Sequence, residues 1–230
     1  MKTIGIIGGM SWESSVSYYQ LINRGVAAAQ GGLHSAKLVL YSVDFAEIEA
    51  LQSSGDWQRS GELLAQAARA LQSAGADFVV IATNTMHKVA DQVMEAVAIP
   101  LLHIADATAD ALLDAGIDCV GLLGTRFTME QAFYRERLEA RGIRVLVPGE
   151  AGRAMVDRVI YQELCRGKVE PQSRRDYLEV IDQLASEGAQ GVILGCTEIG
   201  LLVGEGDTGV PLFDTTEIHA KAAVANALES

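Results

Sequence analysis

Apolar positions along this chain follow two alternating patterns. Short runs rich in Val, Ile and Leu occupy residues 3–7, 37–42, 78–82, 101–103, 119–123, 144–147, 191–194 and 212–213, and all but the second are bounded on at least one side by Gly, Asp or Pro. Between them lie longer Ala- and Leu-rich segments in which apolar residues recur at helical spacing, as in "SWESSVSYYQLINRG" near the start. Runs of four to eight β-branched residues predict strands, the 3.6-residue period predicts amphipathic helices, and their alternation predicts βαβ units around a parallel sheet.

The order of these elements repeats. "TIGIIGGM" is answered by "CVGLLGTR", "AKLVLYSVD" by "GIRVLVPGE", "FVVIATNT" by "GVILGCTE", and "IPLLHIADAT" by "VPLFDTTEIH". Four blocks in one order predict two similar Rossmann-like α/β domains with parallel sheets, related by pseudo-two-fold symmetry with a cleft between them. The last block of each half leads into the other half, so the expected division is residues 1–100 with 211–230 in one domain and 101–210 in the other.

Ligands of open α/β sheets bind beyond the carboxyl ends of the strands. Four small polar stretches fall at those ends here: Gly8-Gly9-Met10, Thr83-Asn84-Thr85, Gly124-Thr125 and Cys196-Thr197-Glu198. The repeat makes Thr83 and Cys196 equivalent, a hydroxyl in one copy and a thiol in the other. A thiolate at a strand end, held by backbone N–H groups and a helix dipole, is a base as well as a nucleophile. Two proton carriers on opposite faces of one carbon suit stereoinversion, since one removes the proton and the other supplies one.

Composition narrows the partners. The 230 residues carry a net charge of -12 with 49% hydrophobic residues, so the chain has no basic footprint for nucleic acid or anionic membranes. The apolar run after Lys2 is too short for a signal segment, and no run approaches the ~18 apolar residues of a membrane span, which leads us to expect a cytoplasmic protein. Cys119, Cys165 and Cys196 have no paired CxxC spacing for zinc, and no other metal cluster is evident. Cys119 reads as a small core residue. Taken alone, Cys196 reads the same way and Thr83 as a helix cap. "GIIGGMSWES" lacks the full dinucleotide-loop spacing, so its glycines read as a tight turn. Tyr18, Tyr19 and Trp12 read as packing or subunit-contact residues, His103 and His219 need no role, and His87 reads as a supporting or surface residue on the first helical turn, with a proton relay as its alternative role.

The ordered combination of these motifs resembles the aspartate/glutamate racemase family over essentially the whole chain. The family's two strand-end loops typically read Cys-Asn-Thr and Gly-Cys-Thr-Glu; here they read Thr83-Asn84-Thr85 and Gly195-Cys196-Thr197-Glu198. "GGMSWES", "GGLHSA", "TNTMHKVAD" and "GCTEIGLL" are similar to the enterobacterial branch of broad-specificity or L-Asp/Glu-preferring racemases.

The resemblance implies a homodimeric amino-acid racemase that needs neither metal nor pyridoxal phosphate. In it, Cys196 removes the α-proton of the L-enantiomer and Thr83 stands where the family has its other cysteine. Asn84, Thr85 and Thr197 would hold the α-carboxylate, Met10 would line the pocket, Gln52 in a polar loop would meet the distal group, and Glu198 would orient the site or accept from the substrate ammonium. Two departures follow. Thr83 is so weak an acid and base that it must relay through water or a neighbour such as His87, or else protonate a highly basic carbanion. Cys165 stands where dicarboxylate-specific relatives tend to carry lysine, which leaves room for a broader substrate range. The alternatives are a single-cysteine decarboxylase of the same superfamily and a catalytically weakened amino-acid-binding protein.

Overall fold

The computed structural model describes residues 1–229. Its elements, in chain order, are β1 (Ile4–Gly8), α1 (Trp12–Gln30), β2 (Leu38–Ser42), α2 (Phe45–Ser54), α3 (Trp57–Ser73), β3 (Phe78–Ile81), α4 (Ala90–Glu95), β4 (Leu101–Leu102), α5 (Ile104–Asp114), β5 (Cys119–Gly124), α6 (Arg126–Glu130), α7 (Ala132–Glu139), β6 (Arg144–Leu146), α8 (Glu150–Gln162), α9 (Pro171–Ser186), β7 (Gly191–Gly195), β8 (Leu212–Asp214) and α10 (Thr215–Leu228). Single 3-10 turns cover Thr85–Val89, Leu164–Arg166 and Ile199–Leu201.

Local chemistry places the helix ends. Ser11, Asp44, Asp56 and Thr125 accept from the first-turn amides of α1, α2, α3 and α6, which satisfies donors that have no partner inside a helix. Gly55, in the left-handed region at φ 75°, ends α2. Pro171 starts α9, where its missing N–H costs nothing.

The eight strands form two four-stranded parallel sheets, ordered β2-β1-β3-β4 and β6-β5-β7-β8. The orders are equivalent block for block, as the sequence repeat requires. The chain divides into one compact unit of residues 1–104 with 219–230 and a second of residues 105–218. Val79 pairs with Leu101 in the first sheet and Val192 with Leu212 in the second. β4 and β8 therefore complete the sheet of the half that precedes them. The chain crosses after each strand, a few residues beyond the boundaries expected at 100/101 and 210/211, because backbone pairing holds the last strand to its own sheet.

In the first unit β1 and β3 are buried throughout, which parallel strands covered on both faces require. Ile7, Val79 and Ile81 pack with Ile48, Leu64 and Leu71 on one face. Ile4, Ile6, Phe78 and Val80 pack with Tyr18, Ile22, Ala223 and Ala227 on the other. In the second unit Leu123, Val192 and Leu194 pack with Val156, Ile160, Tyr177 and Ile181. α1 turns Tyr18 inward and leaves Trp12, Val16 and Tyr19 exposed. No helix among the described residues is long and apolar enough to cross a membrane.

Candidate active site

In the first unit β1 lies between β2 and β3, so the loops after β1 and β3 leave adjacent strands at the topological switch point, where open α/β sheets bind ligands. The loop after β1 is a tight turn: Gly9 has φ 90°, and a Cβ there would lie 2.3 Å from the Val43 carbonyl oxygen. The Gly9 amide donates to Ser15 Oγ at 2.7 Å. Met10, expected to line the pocket, is 4% exposed and packs in the apolar cluster that also holds Ile7, Ile48 and Met86.

Thr83, Asn84 and Thr85 follow β3. Thr83 is half-buried, and its hydroxyl makes no hydrogen bond among the described residues. Asn84 and Thr85 are buried. Asn84 precedes the 3-10 turn, yet its side chain makes no capping bond to it, so capping does not account for this residue. Gln52 lies within α2, not in the loop expected for it, because Asp44 and Gly55 cap a helix across that stretch. It is buried and donates to Met86 Sδ at 3.0 Å. The first-unit residues singled out from sequence thus gather around the β1 and β3 ends.

His87, one helical turn beyond Thr83, is 2% exposed. Its Nε2 accepts from the Ile104 amide at 3.2 Å, so the ring proton sits on Nδ1, which donates to the Thr83 carbonyl at 2.8 Å. Both nitrogens are engaged. This arrangement rules out the relay from the Thr83 hydroxyl expected of this ring, since no lone pair or proton remains to carry it. Burial, and then the neighbouring His103 and His219, hold His87 well below the ordinary imidazole range.

His219 is fully buried; its Nε2 donates to the Leu102 carbonyl at 2.9 Å and its Nδ1 accepts from Tyr18 Oη at 2.8 Å. Desolvation lowers its pKa from 6.5 to about 4. The unfolded chain therefore binds a proton that the native state refuses. The stabilisation is complete above pH ~6.5 and declines as pH falls toward the folded value, by about 3 kcal/mol for a shift of this size. Urea midpoints of the native chain should fall steeply from pH 6.5 to 4. The His219→Gln variant, whose amide can still donate to Leu102, should show a shallower fall; parallel curves would show that His219 does not carry the pH dependence.

In the second unit β5 lies between β6 and β7, and Cys196, Thr197 and Glu198 follow β7. Cys196 is half-buried and packs against the apolar cluster of that unit, as does Cys165. Its Sγ donates to Glu198 Oε2 at 3.1 Å, and Thr197 Oγ1 donates to the same oxygen at 2.6 Å. Burial pushes the thiol well above its ordinary range, the Glu198 carboxylate and Cys165 add to this, and the Glu198 backbone N–H opposes it. The resting group is a thiol, which corrects the expected dipole-stabilised thiolate. The following turn spans only Ile199–Leu201, too short to supply a helix dipole. The nearby Tyr177, whose hydroxyl donates to the Val156 carbonyl at 2.9 Å, is also kept protonated, chiefly by burial.

Sequence reasoning passed over two things, the two-sided engagement of His87 and the effect of Cys165 on the Cys196 thiol; the place of Cys165 near the site came only from the family resemblance. The i, i+4 spacing of Thr83 and His87 in a turn was the available signal for the first. No local signal existed for the second, because Cys165 and Cys196 stand 31 positions apart in the chain.

Two parallel sheets, with a polar loop after β3 in one and a thiol–carboxylate pair after β7 in the other, define a two-unit α/β protein with polar side chains at its strand ends. The chain belongs to the Asp/Glu/Hydantoin racemase family, whose model matches residues 7–223. It is similar over 100% of both chains to the crystal structure of a candidate Asp/Glu racemase from Yersinia pestis, with 57% identity and a TM-score of 0.94. An aspartate racemase homologue from Pyrococcus horikoshii OT3 matches over 100% of both chains, with 36% identity and a TM-score of 0.85. The broad-specificity amino-acid racemase RacX of Bacillus subtilis is 24% identical over 69% of this chain and 68% of its own.

Proposed function

We propose that this chain is an amino-acid racemase that works without metal or pyridoxal phosphate, with Cys196 and Thr83 as its proton-carrying pair. The observation that carries the reading is the bond from Cys196 Sγ to Glu198 Oε2, in a family of amino-acid racemases. Glu198 accepts the thiol proton, and the thiolate so formed removes the α-proton of an L-amino acid and becomes a thiol again. A substrate ammonium beside Glu198 offsets the negative charge that otherwise holds the thiol protonated.

Thr83 delivers a proton to the other face of the carbanion, solvent water restores the hydroxyl proton, and the hydroxide so formed takes up the proton held by Glu198. An α-carbanion is basic enough to take a proton from a hydroxyl, whereas a hydroxyl is a poor base for the reverse step. Asn84, Thr85 and Thr197 hold the α-carboxylate. Met10 and Gln52 shape the first-unit side of the site from within its core. Cys165 supplies no cation for a second carboxylate, which supports a substrate range wider than aspartate and glutamate. The reading includes a cytoplasmic homodimer: the three free thiols support the first part, and the exposed Trp12, Val16 and Tyr19 on α1 support the second.

The test is incubation of metal-stripped protein with L-glutamate, L-aspartate and then other L-amino acids in D2O, reading α-deuterium by mass and enantiomers by chiral chromatography. Deuterated D-product is expected, together with deuterated L-substrate in larger amount. Tight binding with no exchange would replace this reading with a binding protein, and CO2 release from a malonate-type acid would replace it with a decarboxylase.

A further inference from the structure

We propose that His87 is a positioning residue for Thr83: its neutral ring ties the Thr83 carbonyl to the Ile104 amide, and so sets where the Thr83 hydroxyl stands for the second proton transfer. The proposal rests on the racemase reading above. The ring bridges two backbone groups that are far apart in sequence, at 2.8 Å and 3.2 Å. One lies at the end of β3 and the other is the first residue of α5, where the chain leaves the first unit.

The surroundings allow one protonation state. His103, from the junction of β4 and α5, packs edge-on at 4.4 Å between ring centroids, and His219, from α10, lies at 5.8 Å. Tyr18, from α1, donates to His219. The adjoining Lys88 turns away, its Nζ 3.9 Å from the centre of the Trp57 ring. No carboxylate is among these neighbours to stabilise an imidazolium, and a second proton on His87 would remove the acceptor that Ile104 uses. The lowered basicity of His87 agrees with this geometry. A loop tethered at its carbonyl through a rigid ring keeps its hydroxyl in place, and catalysis is sensitive to displacements of about 1 Å.

The consequence separates the two proton carriers. Cys196 stands on the other unit, so loosening the Thr83 loop affects delivery to the far face and spares exchange on the near face. In D2O with an L-substrate, His87→Ala should lower the ratio of inversion to exchange about tenfold or more, with exchange itself within about threefold of the native rate. His87→Asn, whose amide nitrogen takes the place of Nδ1–H against the Thr83 carbonyl, should restore most of the ratio. An unchanged ratio in a folded His87→Ala protein overturns the proposal, and so does an equal fall in exchange and inversion.

If His87→Ala does not fold, nitrogen-15 NMR of the native chain decides. A ring protonated on Nδ1 and untitrated down to pH 5 supports the tether; an Nε2–H tautomer, or proton uptake near pH 6.5, overturns it. If the native chain exchanges no amino acid at all, the racemase reading fails and the positional role falls with it. The NMR result then still reports whether the tether exists.

Discussion

Replacing Cys196 with serine is expected to lower α-proton exchange of L-substrates by about three orders of magnitude, within the 10²–10⁴ range that a positioned base contributes. Serine keeps the size of the side chain and a donor to Glu198 Oε2. What changes is proton affinity, since an alcohol gives up its proton to a carboxylate far less readily than a thiol does. The native thiol is already held above its usual range by burial and by Glu198, so in the proposed mechanism its catalytic form is a minor species drawn out by the substrate. Moving from thiol to alcohol makes that species rarer by many further powers of ten. Substrate binding, read by calorimetry, should persist, because Asn84, Thr85 and Thr197 are untouched. Substantial exchange by a folded Cys196→Ser protein would remove Cys196 from the mechanism.

Replacing Thr83 with cysteine should raise the ratio of inversion to exchange by about ten- to a hundredfold, by giving the second face a group that both donates and accepts a proton near neutral pH. Thr83 is half-buried, and its hydroxyl makes no hydrogen bond among the described residues, so the substitution breaks no polar contact. Enantiomers have equal free energy, so kcat/KM for the two directions must rise together; a gain confined to one direction would signal an error in the assay. Individual kcat and KM values remain free to differ. Chiral chromatography and deuterium content in the same samples give the ratio directly. An unchanged ratio would assign Thr83 a structural role and end the two-carrier mechanism.

Much of this architecture was legible in the chain. Each expected strand lies within a residue or two of an observed one, because a short, continuously apolar, β-branched run is a local property. The repeat of four blocks anticipated the matching strand orders, since equal elements in equal sequence reach equal sheets. Gly9 was legible as a turn residue because a glycine pair ending a buried strand marks a close backbone approach, here to Val43. Gln52 was misplaced into a loop: "EALQSSGDW" is polar, and polarity outweighed the flanking Asp44 and Gly55 that cap a helix there.

By itself the sequence determined the α/β class, the twofold repeat, and which residues stand at the strand ends, among them Thr83 and Cys196. These follow from patterns read within a few neighbours. Only the tertiary structure decided to which sheet β4 and β8 belong, that Cys196 rests as a thiol, and that both nitrogens of His87 are engaged. Each of those depends on groups brought together from distant parts of the chain: Val79 with Leu101, Cys165 with Cys196, and Ile104 with His87. Hydrogen-bond partners and desolvation come into being only on folding, and they decide whether a given proton is held or released.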